Sequence, residues 1–298
     1  MNKKWTSNLA LFIAALIWGF AFVAQVSGSK YIGSFTMIGF RFAIGIIALL
    51  PVVLIFERGK TSNEEGAYTV KASLITGIVL FCALSFQQFG IALTSSAGVS
   101  GFITGLYMIL VPFVSLVLFK KKTSVKVWIG ALFAIIGLVL LCYKEGQGFS
   151  FGLGELLLLI GAFFWTAHVM LIDFYGKSIR SLHYSWGQFA VCAVLGILFA
   201  FIFEDVTIGS LYAARWELLY CGVMSSGIAY TLQVVGQKNA DPSYAVIILS
   251  TESAFSAIGG AIFGTDKMVW VGYVGCVLMF VGILCTQITF KKKKKENT

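Results

Sequence analysis

The chain has 298 residues, of which 58% are hydrophobic and 12% are charged, and its formal net charge is +9. Soluble globular domains carry about twice this share of charged residues, so the composition excludes a soluble domain. It predicts a polytopic membrane protein.

Ten apolar stretches follow one another along the chain. Each is long enough to cross a hydrocarbon core of about 30 Å as a helix of about 17–25 residues. Their limits are Leu9–Val26, Ser34–Phe56, Ala72–Leu93, Ser95–Phe119, Val125–Cys142, Phe151–Ile172, Tyr184–Phe203, Trp216–Gly236, Ser243–Phe263 and Met268–Phe290. The sequence therefore predicts an all-α integral membrane protein with ten transmembrane helices, here called spans 1 to 10.

The lysines and arginines lie mostly on one side of this ten-span arrangement. With the N-terminus inside, 17 of the 22 basic residues fall on the inner side, including Lys291–Lys295, four fall outside, and Arg41 lies within span 2. Cytoplasmic loops carry such an excess, so both termini are predicted to be cytoplasmic and the protein to lie in the plasma (cell inner) membrane. The positive charge is expected to bind anionic lipid of the cytoplasmic leaflet rather than nucleic acid.

The two halves of the sequence share short motifs in the same order. Ala15–Trp18 in span 1 matches Ala162–Trp165 in span 6, and Arg41–Ala43 in span 2 matches Gln188–Ala190 in span 7, both at an offset of 147 residues. Spans 3 and 8 match at an offset of 146, and spans 5 and 10 at an offset of 142. The chain is therefore predicted to be a duplicated five-helix unit.

Residues 1–145 form the first predicted repeat, and residues 146–298 form the second, which carries the polybasic tail. Because each repeat has an odd number of spans, the second enters the membrane from the opposite side, and a pseudo-twofold axis lies in the membrane plane. Inverted repeats are typical of secondary transporters. They predict alternating access, in which a central site opens to either face without ATP.

A set of short motifs occurs in a fixed order within this duplicated frame. They are Ala15–Trp18, Arg41-Phe42, Gln87–Gly90, Thr94–Ala97 with Gly101, Gly105–Tyr107, Val111-Pro112, Gln237 and Glu252. In these motifs the chain resembles the EamA-type, ten-helix members of the drug/metabolite transporter superfamily. The resemblance implies a central cavity formed by both repeats and the export, or less often the uptake, of small metabolites such as amino acids.

The sequence departs from the family pattern in span 9. Thr251-Glu252-Ser253 stands where Leu-Glu-Pro is common in the family. Because the proline is missing, the kink that the family pattern implies is in doubt here.

Three ionisable residues lie inside predicted spans, where each costs at least about 2.5 kcal/mol unless it meets water or a partner. Glu252, near the middle of span 9, is a candidate for substrate or proton binding, or else a fixed structural acid. His168 in span 6 is the second candidate for proton coupling, since a hydrated histidine titrates near neutrality, or else a hydrogen-bonded structural side chain that faces the bundle. Arg41 in span 2 either contacts an anion in the cavity or reaches the interface by snorkelling.

Neutral polar and aromatic residues complete the candidate substrate site. The glutamines are Gln87, Gln188 and Gln233, with Gln88 beside them, and they either bind a ligand or join helices to each other. The aromatic candidates are Trp18, Tyr107, Trp165 and Tyr230. These rings either pack closely or line a cavity for an apolar group or, through cation–π contact, an ammonium group.

Small residues recur at four-residue spacing in spans 4 and 9, and such stripes let helix backbones approach closely. They are Ala97, Gly101 and Gly105 in span 4, and Ser256, Gly260 and Gly264 in span 9. The stripes predict either static packing or a contact that slides during alternating access.

The main hypothesis is a secondary transporter that exports an amino acid or a related metabolite. One alternative is a transporter of quaternary amines such as choline, and another is a membrane-embedded enzyme acting on lipids. The only catalytic pattern is a G-x-S-x-G match at Gly148–Gly152, which lacks the required strand–turn–helix context. No phosphate-binding loop or metal motif is present in the sequence, and no cofactor is predicted.

Overall fold

The computed structural model describes residues 3–57, 59, 63–119, 125–144, 148–149, 151–176, 178–239, 242–266 and 268–287. The helices are α1 (Lys3–Gly28), α2 (Ser34–Phe56), α3 (Asn63–Thr94), α4 (Ala97–Gly105), α5 (Tyr107–Phe119), α6 (Val125–Leu141), α7 (Leu153–Tyr175), α8 (Ser181–Phe203), α9 (Ile208–Ala213), α10 (Arg215–Leu219), a π-helical segment (Tyr220–Ala229), α11 (Tyr230–Asn239), α12 (Pro242–Phe263) and α13 (Trp270–Gln287). Between α6 and α7, two short strands, β1 (Tyr143–Lys144) and β2 (Gly148–Phe149), pair in antiparallel orientation.

The helices confirm the prediction of an all-helical membrane protein. Among the described residues, six helices are long and apolar enough to cross a membrane: Trp5–Gly28, Ser34–Phe56, Glu64–Thr94, Leu153–Tyr175, Ser181–Phe203 and Arg215–Gln237. Shorter apolar helices occupy Ala97–Val111, Trp128–Leu141 and Trp270–Cys285. Helix α12 covers predicted span 9 without a break. That the chain crosses the membrane ten times stays a prediction.

Two of the predicted spans are interrupted, which the sequence-based limits did not anticipate. Span 4 divides into α4 and α5 at Leu106, whose N–H donates to the Ile103 carbonyl, one residue closer than in an α-helix. Span 8 changes from α10 to the π-helical segment and then to α11. Both interruptions lie beside aromatic residues of the candidate site, Tyr107 and Tyr230.

A glutamate at the end of α2 caps the beginning of α8. The Glu57 carboxylate accepts hydrogen bonds from the N–H groups of Leu182 and His183, both at 3.0 Å. It also contacts Nδ1 of His183 at 2.6 Å. The first N–H groups of a helix have no partner within the helix and carry partial positive charge, so this carboxylate satisfies and stabilises them.

A glutamate that directly follows α8 caps the beginning of α2 in the same way. The Glu204 carboxylate accepts from the N–H groups of Phe35 and Thr36, both at 2.8 Å, and from the Thr36 hydroxyl at 2.7 Å. Each donor and acceptor residue in this cap lies 147 residues before or after its counterpart in the Glu57 cap. The two ends of the α2–α8 pair are therefore held by equivalent interactions.

Contacts between the two halves build the rest of the bundle. Helix α3 packs against α7, α1 against α12, α4 against α12, α6 against α13, and α2 against both α8 and the π-helical segment. Within the α2–α8 pair, Phe42 and Phe189 meet with their ring centroids 5.3 Å apart, and these two residues are also 147 positions apart.

Helices α4 and α12 approach through small residues, in agreement with the predicted stripes. The Ser253 hydroxyl donates to the Gly101 carbonyl at 3.0 Å, and a Cβ on Gly101 or Gly105 would collide with Ser256 or Ser253. Two stripe residues of span 9 are exceptions. The atoms nearest to a Cβ on Gly260 would belong to Asp266, not to α4. The other exception is Gly264. It follows the last residue of α12 with φ of +70°, and a Cβ there would meet nothing within 4 Å, so it ends the helix instead of contacting α4.

One carboxylate links the second half to the beginning of α4. Asp266, in the α12–α13 connection, accepts from the Ser96 hydroxyl at 2.6 Å and from the Gly98 N–H at 3.0 Å. Burial raises the pKa of the Asp266 carboxyl, and the hydrogen bonds from Ser96 and from the N–H groups of Gly98 and Ala97 oppose that rise. This link, which we call the Asp266 latch, lies at the end of the bundle predicted to face outside.

Candidate functional site

A narrow cavity lies between the two halves near the middle of the bundle, with about 450 Å³ of empty space. The side chains around it come from α1, α2, α3, α4, α5, α7, the π-helical segment, α11 and α12. They belong to Trp18, Ala21, Phe22, Gln25, Arg41, Gln87, Thr104, Tyr107, Trp165, Val169, Ser225, Tyr230, Gln233 and Glu252.

Eight of the ten candidate substrate-binding residues lie on this one cavity. They are Trp18, Arg41, Gln87, Tyr107, Trp165, Tyr230, Gln233 and Glu252. The remaining two, His168 and Gln188, are not among the lining residues. The structure thus brings most of the candidates together, while their role in binding stays a prediction.

Aromatic rings form one wall of the cavity, with Tyr230 at its centre. The Trp18 ring meets Tyr230 edge-on at 4.8 Å between centroids, and the Trp165 ring stacks on Tyr230 at 6.2 Å. Tyr107 lies 6.5 Å from Trp165. The indole N–H of Trp165 is buried and has no hydrogen-bond partner within the described residues, so it is available to a bound acceptor.

Arg41 contributes a positive charge to the cavity. Its side chain is 2% exposed, so it does not snorkel to the interface. Nη1 donates to Oε1 of Gln25 at 2.8 Å, and the Gln25 amide in turn donates to the Ala21 carbonyl at 3.1 Å. Nε of Arg41 is buried and has no hydrogen-bond partner among the residues that the structure describes. Within the described part of the chain, no carboxylate lies in salt-bridge range of Arg41, so its charge is held by a neutral amide.

Glu252 contributes an acid to the same cavity. It is 4% exposed, and its carboxyl is hydrogen-bonded to the Tyr107 hydroxyl. Nearby, the Gln87 amide donates to the Thr104 hydroxyl at 3.3 Å. Glu252 and Arg41 thus line the same cavity, and no salt bridge between them is found within the described residues.

His168 and Gln188 form a separate pair behind the aromatic wall. Nε2 of His168 lies 2.9 Å from Oε1 of Gln188. Because that oxygen only accepts, Nε2 carries the proton in this arrangement. The imidazole is fully buried and touches the rings of Trp165 and Tyr230 at 5.5 and 6.5 Å between centroids. His168 therefore contacts the cavity only through its lining residues.

Some cavity residues were not predicted from the sequence. Gln25 is one residue from the predicted end of span 1, and its amide was available as a signal because it is a polar residue within an apolar stretch. The Ser225 carbonyl accepts from the Trp18 indole at 3.3 Å, and Ser225 belongs to the π-helical segment. Such segments occur often at functional sites. The run of small residues Ser225–Gly227 was the only sequence signal for it.

The described residues contain no group of three or more His, Cys, Asp or Glu side chains placed to hold a metal ion. The arrangement of the cavity instead provides hydrogen-bond donors, one cation, one acid and aromatic faces. Such a set can recognise and orient a small polar molecule.

Comparison with known proteins identifies the family. The model of the EamA-like transporter family matches residues 5–143 and 152–287. An uncharacterized transporter of Archaeoglobus fulgidus is 26% identical over 287 residues, which cover 96% of this chain and 87% of the relative. The uncharacterized transporter YoaV of Bacillus subtilis is 25% identical, with 96% and 98% covered.

The fold is also similar to that of a protein of known crystal structure. The two structures superpose with a TM-score of 0.70 over 95% of this chain and 96% of the other, at 21% sequence identity. These findings confirm the resemblance drawn from the motifs and exclude the hypothesis of a lipid-modifying enzyme. The chain belongs to the EamA-like transporter family, and it is a multi-pass membrane transporter of the drug/metabolite type.

Proposed function

We propose that this protein is a secondary active transporter that exports a zwitterionic metabolite, an amino acid or a close relative, across the plasma membrane. The observation that carries the proposal is that Arg41 and Glu252 line one narrow cavity without bridging each other. Both termini are taken to be cytoplasmic, as the distribution of lysine and arginine predicts.

The chemistry of the cavity matches the three parts of an amino acid. A substrate carboxylate would bind the guanidinium of Arg41, where hydrogen bonds to charged groups contribute about 1.5–3 kcal/mol. A substrate ammonium would bind the carboxylate of Glu252. An apolar side chain would lie against the rings of Trp165 and Tyr230.

Alternating access is the proposed mechanism, with residues 1–145 and 146–298 as inverted repeats. The reciprocal Glu57 and Glu204 caps support it, because equivalent donors and acceptors occur at opposite ends of one helix pair. The family model also matches once in each half. Two nearly equivalent packings of the same units would expose the cavity to either side in turn.

A quaternary amine is the second candidate substrate, favoured by the aromatic wall. The rings of Trp18 and Trp165 both contact Tyr230, and such faces bind ammonium groups through cation–π contact. The buried guanidinium of Arg41 disfavours a ligand with only positive charge. Replacement of Trp18 by Leu discriminates between the two, because an amine site should lose far more affinity than an amino-acid site.

Proton coupling through Glu252 is part of the proposal. The carboxyl lines the cavity, where it can exchange a proton with substrate or water, whereas His168 has no direct access to the cavity. If the Glu252→Gln variant transports with the same pH dependence as wild type, Glu252 is not the coupling site.

The decisive test is transport by purified protein in sealed liposomes with a set of matched compounds. Each amino acid is compared with the amine that lacks its carboxylate and with the acid that lacks its ammonium group. Saturable flux of the complete amino acid alone supports the proposal. Flux of quaternary amines alone supports the second candidate, and absence of flux for the whole panel contradicts both.

A further inference from the structure

A second, larger crevice opens at the end of the bundle that is predicted to be cytoplasmic. It lies between the beginning of α3 and the beginning of α8, and it holds about 1480 Å³ of empty space. We propose that it binds one glycerophospholipid of the cytoplasmic leaflet, with the phosphodiester group held by Arg180 and Trp186. This site is separate from the transport cavity.

Arg180 and Trp186 provide hydrogen-bond donors to the crevice, and neither has a carboxylate partner within the described residues. Nη1 of Arg180 donates to two main-chain carbonyls, of Glu57 at 3.2 Å and of Gly59 at 3.4 Å. No carboxylate in the described ranges lies within salt-bridge distance of Arg180. The indole N–H of Trp186 is buried and has no partner there. A phosphodiester carries negative charge and only acceptor oxygens, so it complements both groups.

Two acids also line the crevice and define what it can accept. The Glu57 carboxylate is already occupied by the N–H groups of Leu182 and His183. Glu65 lies on the α3 side. Because the crevice carries acidic as well as basic groups, it accepts zwitterionic as well as anionic head groups, and the phosphodiester common to both is the group that it recognises.

The walls of the crevice are apolar and face outward. Val70 and Leu74 of α3 are 60% and 49% exposed, and Val191 of α8 lines the opposite wall. In a membrane protein, exposed apolar side chains at this position contact acyl chains. Arg180 directly precedes α8, and Trp186 lies six residues further along, about 9 Å at 1.5 Å per residue. The donors therefore lie at the head-group level, where tryptophan is enriched.

The other end of the same helix pair lacks this site. At an offset of 147 residues, Arg180 corresponds to Gly33, His183 to Thr36 and Trp186 to Gly39. A Cβ on Gly39 would lie 2.6 Å from the backbone nitrogen of Ile197, so α2 and α8 are in backbone contact there. Arg180 and Trp186 therefore have no cationic or indole counterpart at the opposite end of the helix pair. They lie at the end predicted to face the cytoplasmic leaflet, where a site for a lipid of that leaflet must lie.

The test measures unfolding midpoints of the full-length protein in detergent with four probes. Dioleoylphosphatidylglycerol and dioleoylphosphatidylethanolamine carry both parts of the ligand. Dioleoylglycerol lacks the phosphate, and glycerol 3-phosphate lacks the acyl chains. A ligand that binds only the folded state raises the midpoint, so both phospholipids should raise it and the two fragments should not.

Variants locate the effect on the crevice. Arg180→Gln and Trp186→Phe should each lose about half or more of the phospholipid shift, relative to their own lipid-free midpoints. Arg215→Gln, at a half-buried arginine that stacks on Tyr212 in another part of the protein, is the matched control and should keep it. Bound lipid counted by native mass spectrometry gives a second readout if either variant is unstable.

Three results would overturn the proposal. The first is a full wild-type shift in both crevice variants. The second is an equal shift with glycerol 3-phosphate, which would indicate a phosphate site without lipid specificity. The third is a shift that disappears when Lys291–Lys295 are replaced by glutamine, which would place the lipid on the tail. None of these results depends on whether the protein transports amino acids.

Discussion

Arg41 is held inside the bundle by an amide, and this arrangement keeps its charge available to a ligand. The Gln25 oxygen accepts from Nη1 at 2.8 Å, while Nε has no partner within the described residues. A glutamate at position 25 would place a carboxylate at the same distance and neutralise the guanidinium. We therefore expect Gln25→Glu to raise the KM for a transported amino acid about tenfold, which corresponds to about 1.4 kcal/mol.

The same variant distinguishes lost recognition from lost folding. A direct ion pair should leave the unfolding midpoint of Gln25→Glu equal to or above that of wild type. The KM for the amine that lacks the carboxylate should not change, because this compound does not use Arg41. An equal rise in KM for both compounds in liposome flux measurements would show that Arg41 does not select the carboxylate.

Gln88 illustrates a polar residue in a span that does not reach the cavity. It is 1% exposed, and neither its amide nitrogen nor its oxygen has a hydrogen-bond partner in the part of the chain that the structure describes. Burying unsatisfied polar atoms costs about 1–3 kcal/mol. Gln88→Leu should therefore raise the unfolding midpoint in detergent and leave transport unchanged. Gln87→Leu is the comparison, since Gln87 bonds Thr104 and lines the cavity, and it should reduce transport.

At the scale of elements, the reciprocal glutamate caps define the α2–α8 pair. Glu57 and Glu204 each accept two helix N–H groups of the opposite helix. Loss of a helix cap costs about 0.5–2 kcal/mol. We expect Glu57→Ala and Glu204→Ala to lower the unfolding free energy by similar amounts in this range, as measured by chemical denaturation in detergent.

The control for the caps is Glu64→Ala, because Glu64 is an exposed residue in the first turn of α3. It should have a much smaller effect than either cap variant. A large effect at only one of the two caps would show that the helix pair does not depend equally on both ends, and would weaken the case for structural equivalence of the repeats.

At the scale of the whole molecule, the sequence was sufficient for the all-helical class and for most cavity residues, because charges and amides in apolar spans are conspicuous. Arg41 and Glu252 were identified in this way. The π-helical segment was not, since its shape depends on contacts such as Gly222 against Ile44, which only the folded bundle shows. The His168–Gln188 pair joins two different helices, so spacing alone does not reveal it. The spacing of 147 residues between Glu57 and Glu204 can be read from the sequence. That these two glutamates cap the beginnings of α8 and α2 cannot, because the capped N–H groups belong to a helix far away in the chain.

Alternating access also makes a prediction for the Asp266 latch, which joins the two halves at the end predicted to face outside. Ser96 and Asp266 are in side-chain contact at 2.6 Å, and opening of that end requires them to separate. We therefore expect a Ser96→Cys/Asp266→Cys double variant to lose transport in liposomes on oxidation and to regain it on reduction. Each single variant, treated identically, is the control for oxidation of the native cysteines. Full transport by protein shown by mass spectrometry to be cross-linked would mean that this end does not open during the cycle.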